Sequence, residues 1–205
     1  MRKQLIFVAI LIALLCVVFS VSSFAKITGN DPVKAGEPLL ITNAGQGPGG
    51  KMARLLVIRS QVVEEWTYNA EPEPEDIEGK GYKTMLVVIG SSSKGLGASG
   101  ITIDDEIERL NRMIEKAKEL DIQIIAAQIE GKARRDREGG PNERSIDAIA
   151  PHADYLIVKE DADFDGKFTK IAEENKVPMT VIEDTIELTE VIKAMYSDTE
   201  TDICE

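Results

Sequence analysis

KTMLVVIGSSSKGLGASG, residues 83 to 100, decides how the chain is read. An apolar run without alternation, rich in branched side chains, stops abruptly at glycine and three serines. A strand with one face in water alternates polar and apolar residues, whereas a strand covered on both faces reads as continuous apolar sequence. PLLITNA (38 to 44), IQIIAAQI (122 to 129), DYLIVKE (154 to 160) and PMTVIE (178 to 183) share this character. VEEWTYNA (63 to 70) is a weaker strand, expected at a sheet edge.

Helical patterns fill the gaps between these runs. DDEIERLNRMIEKAKEL (104 to 120) places Ile107, Leu110, Ile114 and Ala117 on one stripe, and Thr102 with Asp105 has capping-box spacing ahead of it. Further helices are expected near 50 to 61, 145 to 152, 166 to 175 and 185 to 197. Strands alternating with helices of this length imply an α/β protein: a three-layer α/β/α arrangement around a mostly parallel sheet, flavodoxin-like or Rossmann-like. The single domain is expected over residues 38–197. EPEPEDIEGKG (71 to 81) is a connection within it, and residues 26–37 and the acidic tail 198–205 read as loosely held.

The chain opens with MRKQ, runs uncharged from residue 5 to residue 24, and exits through SVSSFA with small Ser23 and Ala25. A basic start, an apolar stretch and a small-x-small exit make residues 1–25 a secretory signal. The alternative is an uncleaved anchor over 5–24, because about 20 apolar residues span a bilayer. Either way the body is expected outside the cytoplasm: secreted, periplasmic or at the cell envelope. Cys16 follows Leu15, where a lipoprotein site needs a small residue, so lipid attachment is not expected. Cleavage after Ala25 leaves 22 basic against 36 acidic residues, a net charge of −14. Such a surface repels nucleic acid and anionic headgroups, so contact with a membrane is expected only through the N-terminal segment. Only Cys204 then remains, and one thiol forms no internal disulfide.

In a sheet of flavodoxin-like order, ligands bind outside the carboxyl ends of the strands, where the winding direction reverses. Four polar or glycine-rich loops would gather there: TNAGQGPGGK (42 to 51), GSSSKGLGASG (90 to 100), EGKARRDREGG (130 to 140) and KEDADFDGK (159 to 167).

The first matches both G-x-G-x-x-G and G-x-x-x-x-G-K. Met52 stands where a P-loop needs a hydroxyl for magnesium, and Pro48 removes a backbone N–H. Glu71 sits about 20 residues on, as a dinucleotide fingerprint requires. Nucleotides are nevertheless scarce outside the membrane, so the run reads as a strand-to-helix turn. What remains is a helix start that, with Asn43 and Gln46, can hold a small anion. The second loop offers Ser91, Ser92, Ser93 and Lys94, hydroxyls and an ammonium suited to a carboxylate or phosphate. It lacks G-x-S-x-G, and His152, the one histidine, has no evident reason to meet Ser91. The third, KARRDR with Arg144 after it, would steer an anion through Lys132, Arg134 and Arg135, or else pair with its acidic neighbours. In the fourth, Asp161, Asp163, Asp165 and Gly166 begin like a calcium loop, but Ala172 occupies the position of the closing glutamate. Without calcium the aspartates would form an Asx turn capping the next helix.

AGQ (44 to 46), GYKTMLVVIGSSSKGLGASGI (81 to 101), GKARR (131 to 135) and PHADYLIVKEDADFDGKFTKIAEENKVPMT (151 to 180) together resemble an uncharacterised family of exported bacterial α/β domains. The resemblance spans about residues 36 to 190. It implies the fold, supplies no reaction, and puts weight on the serine and arginine loops over the extra glycines at 47 to 50 and the aspartates.

The expectation is therefore a non-catalytic binding module for a small anionic ligand. Asn43 and Gln46 would face Ser91 to Lys94, with Lys132, Arg134 and Arg135 supplying positive field. The alternatives are a serine-dependent hydrolase using Ser91, Ser92 or Ser93, and a cell-envelope interaction protein supported by calcium at Asp161, Asp163 and Asp165. The sequence leaves the oligomeric state open.

Overall fold

The computed structural model describes residues 27–197. The expected signal or anchor and the acidic tail with Cys204 lie outside the described residues.

The continuous apolar runs are strands of one sheet: β1 (Thr28–Gly29), β2 (Leu39–Ala44), β3 (Trp66–Tyr68), β4 (Thr84–Ile89), β5 (Gln123–Gln128), β6 (Tyr155–Lys159) and β7 (Met179–Ile182). Their order is β1-β7-β6-β5-β4-β2-β3, parallel throughout except that β1 runs antiparallel to β7. Leaving β1 aside, the order is flavodoxin-like, and the winding reverses between β2 and β4. The weak strand β3 lies at the edge.

Period-two geometry explains why the runs do not alternate. Leu39, Ile41, Leu86, Val88, Ile125, Ala127, Tyr155 and Ile157 point to one face, and Leu40, Met85, Val87, Ile124, Ala126, Leu156 and Val158 to the other. Helices cover both. α1 (Gly49–Ser60) and α7 (Leu188–Tyr196) pack together on the first face. α4 (Ile103–Glu119), α5 (Pro141–Ile149) and α6 (Lys167–Asn175) cover the second. Fully burying one aliphatic side chain of this size stabilises by roughly 1.5–3 kcal/mol, so the cluster on each face contributes substantially. The capping box ahead of α4 is present: Asp105 N donates to Thr102 Oγ1 at 3.2 Å, and Thr102 N to Asp105 Oδ2 at 2.8 Å.

Three segments differ from the sequence reading. Residues 27–37 are fastened rather than loose: Thr28–Gly29 pairs with β7, Lys34 Nζ donates to the carbonyls of Ala194 and Ser197, and Gly36 N donates to Thr84 Oγ1. The acidic connection contains a short helix, α2 (Pro74–Ile77), because Pro74 suits a first turn and Glu73 with Asp76 closes a capping box. The glycine-rich loop after β4 is also largely helical, as α3 (Ser93–Ser99). Ser92 Oγ accepts from Gly95 N, and Gly100 ends the helix in a left-handed conformation.

Candidate functional site

The loops leaving β2 and β4 are joined to each other before they diverge. Gly90 N donates to Ala44 O (2.9 Å), Ser92 N donates to Gly45 O (2.8 Å), and Gln46 forms a bridge with Ser91. Gly45 has φ +98°, and a Cβ there would sit 2.6 Å from Ser91 Cα, so only glycine permits this approach.

Gln46 takes φ 59°, a left-handed conformation unusual for a residue with a side chain. Such strain costs on the order of 1–3 kcal/mol and persists only where neighbours enforce it. The neighbour is Glu106 on α4, which is fully buried. Its carboxylate accepts from Gly45 N (2.8 Å) and Gln46 Nε2 (3.2 Å), and Arg109 grips both oxygens at 2.9 Å. Arg109 also donates to the carbonyls of Asn43 and Pro72. This buried ion pair, in which each guanidinium nitrogen donates, holds the start of the β2 loop beneath the site. Sequence reading passed over both residues because they flank the apolar stripe of an amphipathic helix. The i,i+3 Glu–Arg spacing was the available sign.

Above this ion pair opens a cleft of about 580 Å³ at the switch point. Gln46, Pro48 and Lys51 form the wall from β2 and the start of α1; Ser92, Lys94 and Ser99 form the wall from α3. Tyr68 at the end of β3, Glu71 beyond it, and Arg134 complete the lining. Asn43 lines the base, but its amide is occupied: Oδ1 accepts from Gly50 N (2.9 Å) and Nδ2 donates to the Tyr68 hydroxyl (3.3 Å). It therefore caps α1, whose own N-cap residue, Pro48, has no side-chain acceptor.

Of the residues expected to bind a ligand, Asn43, Gln46, Ser92, Lys94 and Arg134 meet at this cleft. The others stand elsewhere. Ser91 is buried, and its Oγ has no hydrogen-bond partner among the described residues. Ser93 is exposed on the first turn of α3. Lys132 is exposed, with Nζ 4.9 Å from the centre of the Phe164 ring. Arg135 is engaged on all sides: Nε donates to Glu143 Oε1 at 2.7 Å, Nη2 to Asp165 Oδ2 at 2.7 Å, and Nη1 to Ala162 O. Burial works against its charge, yet the hydrogen bonds it donates to Asp165 and Glu143 prevail and raise its pKa further.

The calcium reading is corrected. The three carboxylates serve three different partners: Asp161 takes Lys159 Nζ (3.1 Å), Asp165 takes Arg135, and Asp163 accepts from Phe168 N (2.7 Å) and Thr169. Asp163 thus caps α6 behind a glycine that cannot. Among the described residues no group of three His, Cys, Asp or Glu side chains could hold a metal ion.

His152 stands apart from the serines. His152 precedes β6, whereas Ser91 follows β4. In a parallel sheet these are opposite ends. Burial and the nearby Lys118 lower the His152 pKa, which suits a structural imidazole. Ser92 Oγ is committed to capping α3.

Glu130, just beyond β5, was not anticipated. Its Oε2 accepts from Arg134 Nε (2.8 Å), while Arg134 Nη1 donates to Ser91 O (3.0 Å). The two bonds fix the guanidinium at the cleft edge. Glu130 Oε1 is buried beside Gly49 and Gly90 and has no hydrogen-bond partner among the described residues. A carboxylate directly after the central strand was the sign in the sequence. Tyr68 and Ser99 were also missed, and Lys51 and Glu71 were read only as parts of a nucleotide motif, since only the tertiary fold brings 68–71 and 99 beside α1.

The chain belongs to the family described as Domain of unknown function (DUF6305), whose model matches residues 36–196. None of the curated proteins matches it. Among solved structures, a psychrotrophic esterase, EstA, from a Pseudoalteromonas species, inhibited by monoethylphosphonate, is 9% identical with a TM-score of 0.34. That match covers 78% of this chain and 95% of the esterase. A GDSL-like lipase from Bacteroides thetaiotaomicron is 10% identical with a TM-score of 0.35, covering 77% of this chain and 83% of the lipase. Likenesses this distant bear on nothing at the site.

Proposed function

We propose that this member of the DUF6305 family is an exported, non-catalytic binding module for a small anion, held in the cleft between α1 and α3. One observation carries the reading: Lys51 and Lys94 line the cleft, and neither forms an ion pair with any described residue. In a chain with 36 acidic residues, unmatched cations in a concave site favour an anionic occupant. Arg134, fixed by Glu130, adds a planar donor at the edge. Export rests on the basic, apolar and small-x-small character of residues 1–25.

Thermal titration with carboxylates, inorganic phosphate and sugar phosphates tests the reading. A ligand at about a hundred times its Kd stabilises by roughly 2.7 kcal/mol. For a domain of this size that raises Tm by about 5–10 °C. Lys94→Ala should abolish the rise while leaving the unliganded Tm within about 1–2 °C, as expected for an exposed side chain. No rise with any anion, or an undiminished rise in the Lys94→Ala protein, overturns the reading.

A further inference from the structure

We propose that the ligand is dipolar: an amino acid or amino-acid-like chain whose carboxylate is met by Lys51 and Lys94 and whose free ammonium is met by Glu71. This rests on the cleft being a site for an anionic group, and it names the class of molecule that carries the group.

The observations concern charges that do not meet. Glu71 lines the same cleft as the two lysines, yet no cation of a described residue lies within 4.0 Å of its carboxylate. Its recorded side-chain partner is the hydroxyl of Ser99, which donates to Oε1. On its other side Glu71 borders a groove containing Arg109 and Arg112. Those guanidinium groups are already committed, Arg109 to Glu106 and Arg112 to Glu73 (2.9 Å) and Glu108 (3.3 Å). The cleft is thus lined by charges of both signs that form no ion pair with one another, and an occupant that satisfies both must itself carry both.

The surrounding charge favours the same class. A chain with net charge −12 repels a simple anion on approach. A dipolar ligand has no net charge and is not repelled, and the separated charges orient it once inside. The space also exceeds what one carboxylate fills: about 580 Å³ falls within the range that encloses larger ligands.

Isothermal titration of the purified chain with straight-chain ω-amino acids, from glycine to aminocaproate, tests this against ω-hydroxy acids of equal length. The hydroxy acid keeps the carboxylate and a hydrogen-bond donor but lacks the positive charge. One amino acid of the series should bind at least about tenfold more tightly than its hydroxy counterpart, since a hydrogen bond between two charged groups is lost in the latter. Glu71→Gln should remove that preference by weakening the amino acid far more than the hydroxy acid, and Lys94→Ala should weaken both ligands. Equal binding of amino and hydroxy acids overturns the dipolar class and leaves the anion site standing. A preference that survives Glu71→Gln overturns the role of Glu71. Binding of no member, where phosphate or sugar phosphates do bind, overturns the dipolar class alone. Binding of nothing at all overturns the anion site with it.

Discussion

Two loop clusters at the carboxyl edge of the sheet look alike in sequence and differ in what their charges do. Between Gly131 and Lys167, Arg135 meets Glu143 and Asp165, and Lys167 meets Glu143 (2.9 Å) and Asp147 (2.6 Å). Between Gln46 and Ser99, Lys51, Lys94 and Glu71 face a common opening without pairing. The first cluster is a closed network that ties two loops together. The second leaves its charges unpaired around a cleft. A dense run of charge is thus a poor guide to a site, because charges close in sequence tend to neutralise one another. Sparse charges brought together from distant segments and left unmatched are the better guide.

The sharpest way to break this comparison is Arg135→Met. The side chain of Arg135 is 3% exposed and that of Glu143 6%, so removing the guanidinium leaves a nearly buried carboxylate with Lys167 as its one charged partner. Breaking a buried pair costs roughly 3–5 kcal/mol, and the remaining lysine argues for the lower end. At about 2–4 °C per kcal/mol for a domain of this size, Tm should fall by about 6–12 °C. Affinity at the cleft should stay unchanged. If ligand affinity falls and Tm does not, the roles assigned to the two clusters are reversed.

A smaller effect is the response to acid. Arg135 lowers the pKa of Asp165, and Glu143 is lowered because hydrogen bonds from Arg135, Lys167 and Asp136 N outweigh the opposing effect of burial. Carboxyls lowered in the folded state contribute stability that is complete above their ordinary values of 4.5 and 3.8. That contribution is lost as pH falls from there through the lowered folded values. Denaturant unfolding followed over this range should show a steeper loss of stability in the unmodified chain than in the Arg135→Met variant. Parallel curves would mean that the network does not couple to protons.

How far the sequence could be read depended on whether a feature is local. Continuous apolar strands, the Thr102 and Asp105 capping box and the edge position of β3 follow from neighbouring residues, and they were legible. So was the position of the switch-point crevice, and with it Asn43, Gln46, Ser92, Lys94 and Arg134. Arg134 and Arg135 are adjacent and chemically identical, yet one faces the cleft and the other is enclosed by carboxylates, a difference that composition cannot express. Glu106 reads as a solvated helix position and is fully buried, because its partners Gly45 and Gln46 lie about sixty residues away. α3 was hidden for a related reason. Gly95 and Gly97 disfavour helix locally, but a Cβ at Gly95 would lie 2.1 Å from Gln46 O. Contact with the β2 loop, and not helix propensity, selects that glycine.

The mildest prediction concerns the wall that α3 provides. Ser92 and Ser93 are consecutive hydroxyls, and only Ser92 accepts from Gly95 N, at 3.1 Å. Losing an N-cap acceptor costs about 1 kcal/mol, which lowers Tm by about 2–4 °C, so Ser92→Ala should show that loss and Ser93→Ala almost none. Seven residues with two glycines have little intrinsic helicity, so the loss should concentrate locally. Amide exchange at Gly95 and Leu96 should accelerate in Ser92→Ala while β4 stays protected. Lys94 sits in that first turn, and a frayed helix holds its ammonium less firmly across from Lys51. Affinity for the anion should therefore fall in Ser92→Ala by more than the change in Tm alone suggests. Equal behaviour of the two variants would mean that contact with the β2 loop alone holds α3 in place. The glycines would then outrank the serines as the residues that build this side of the cleft.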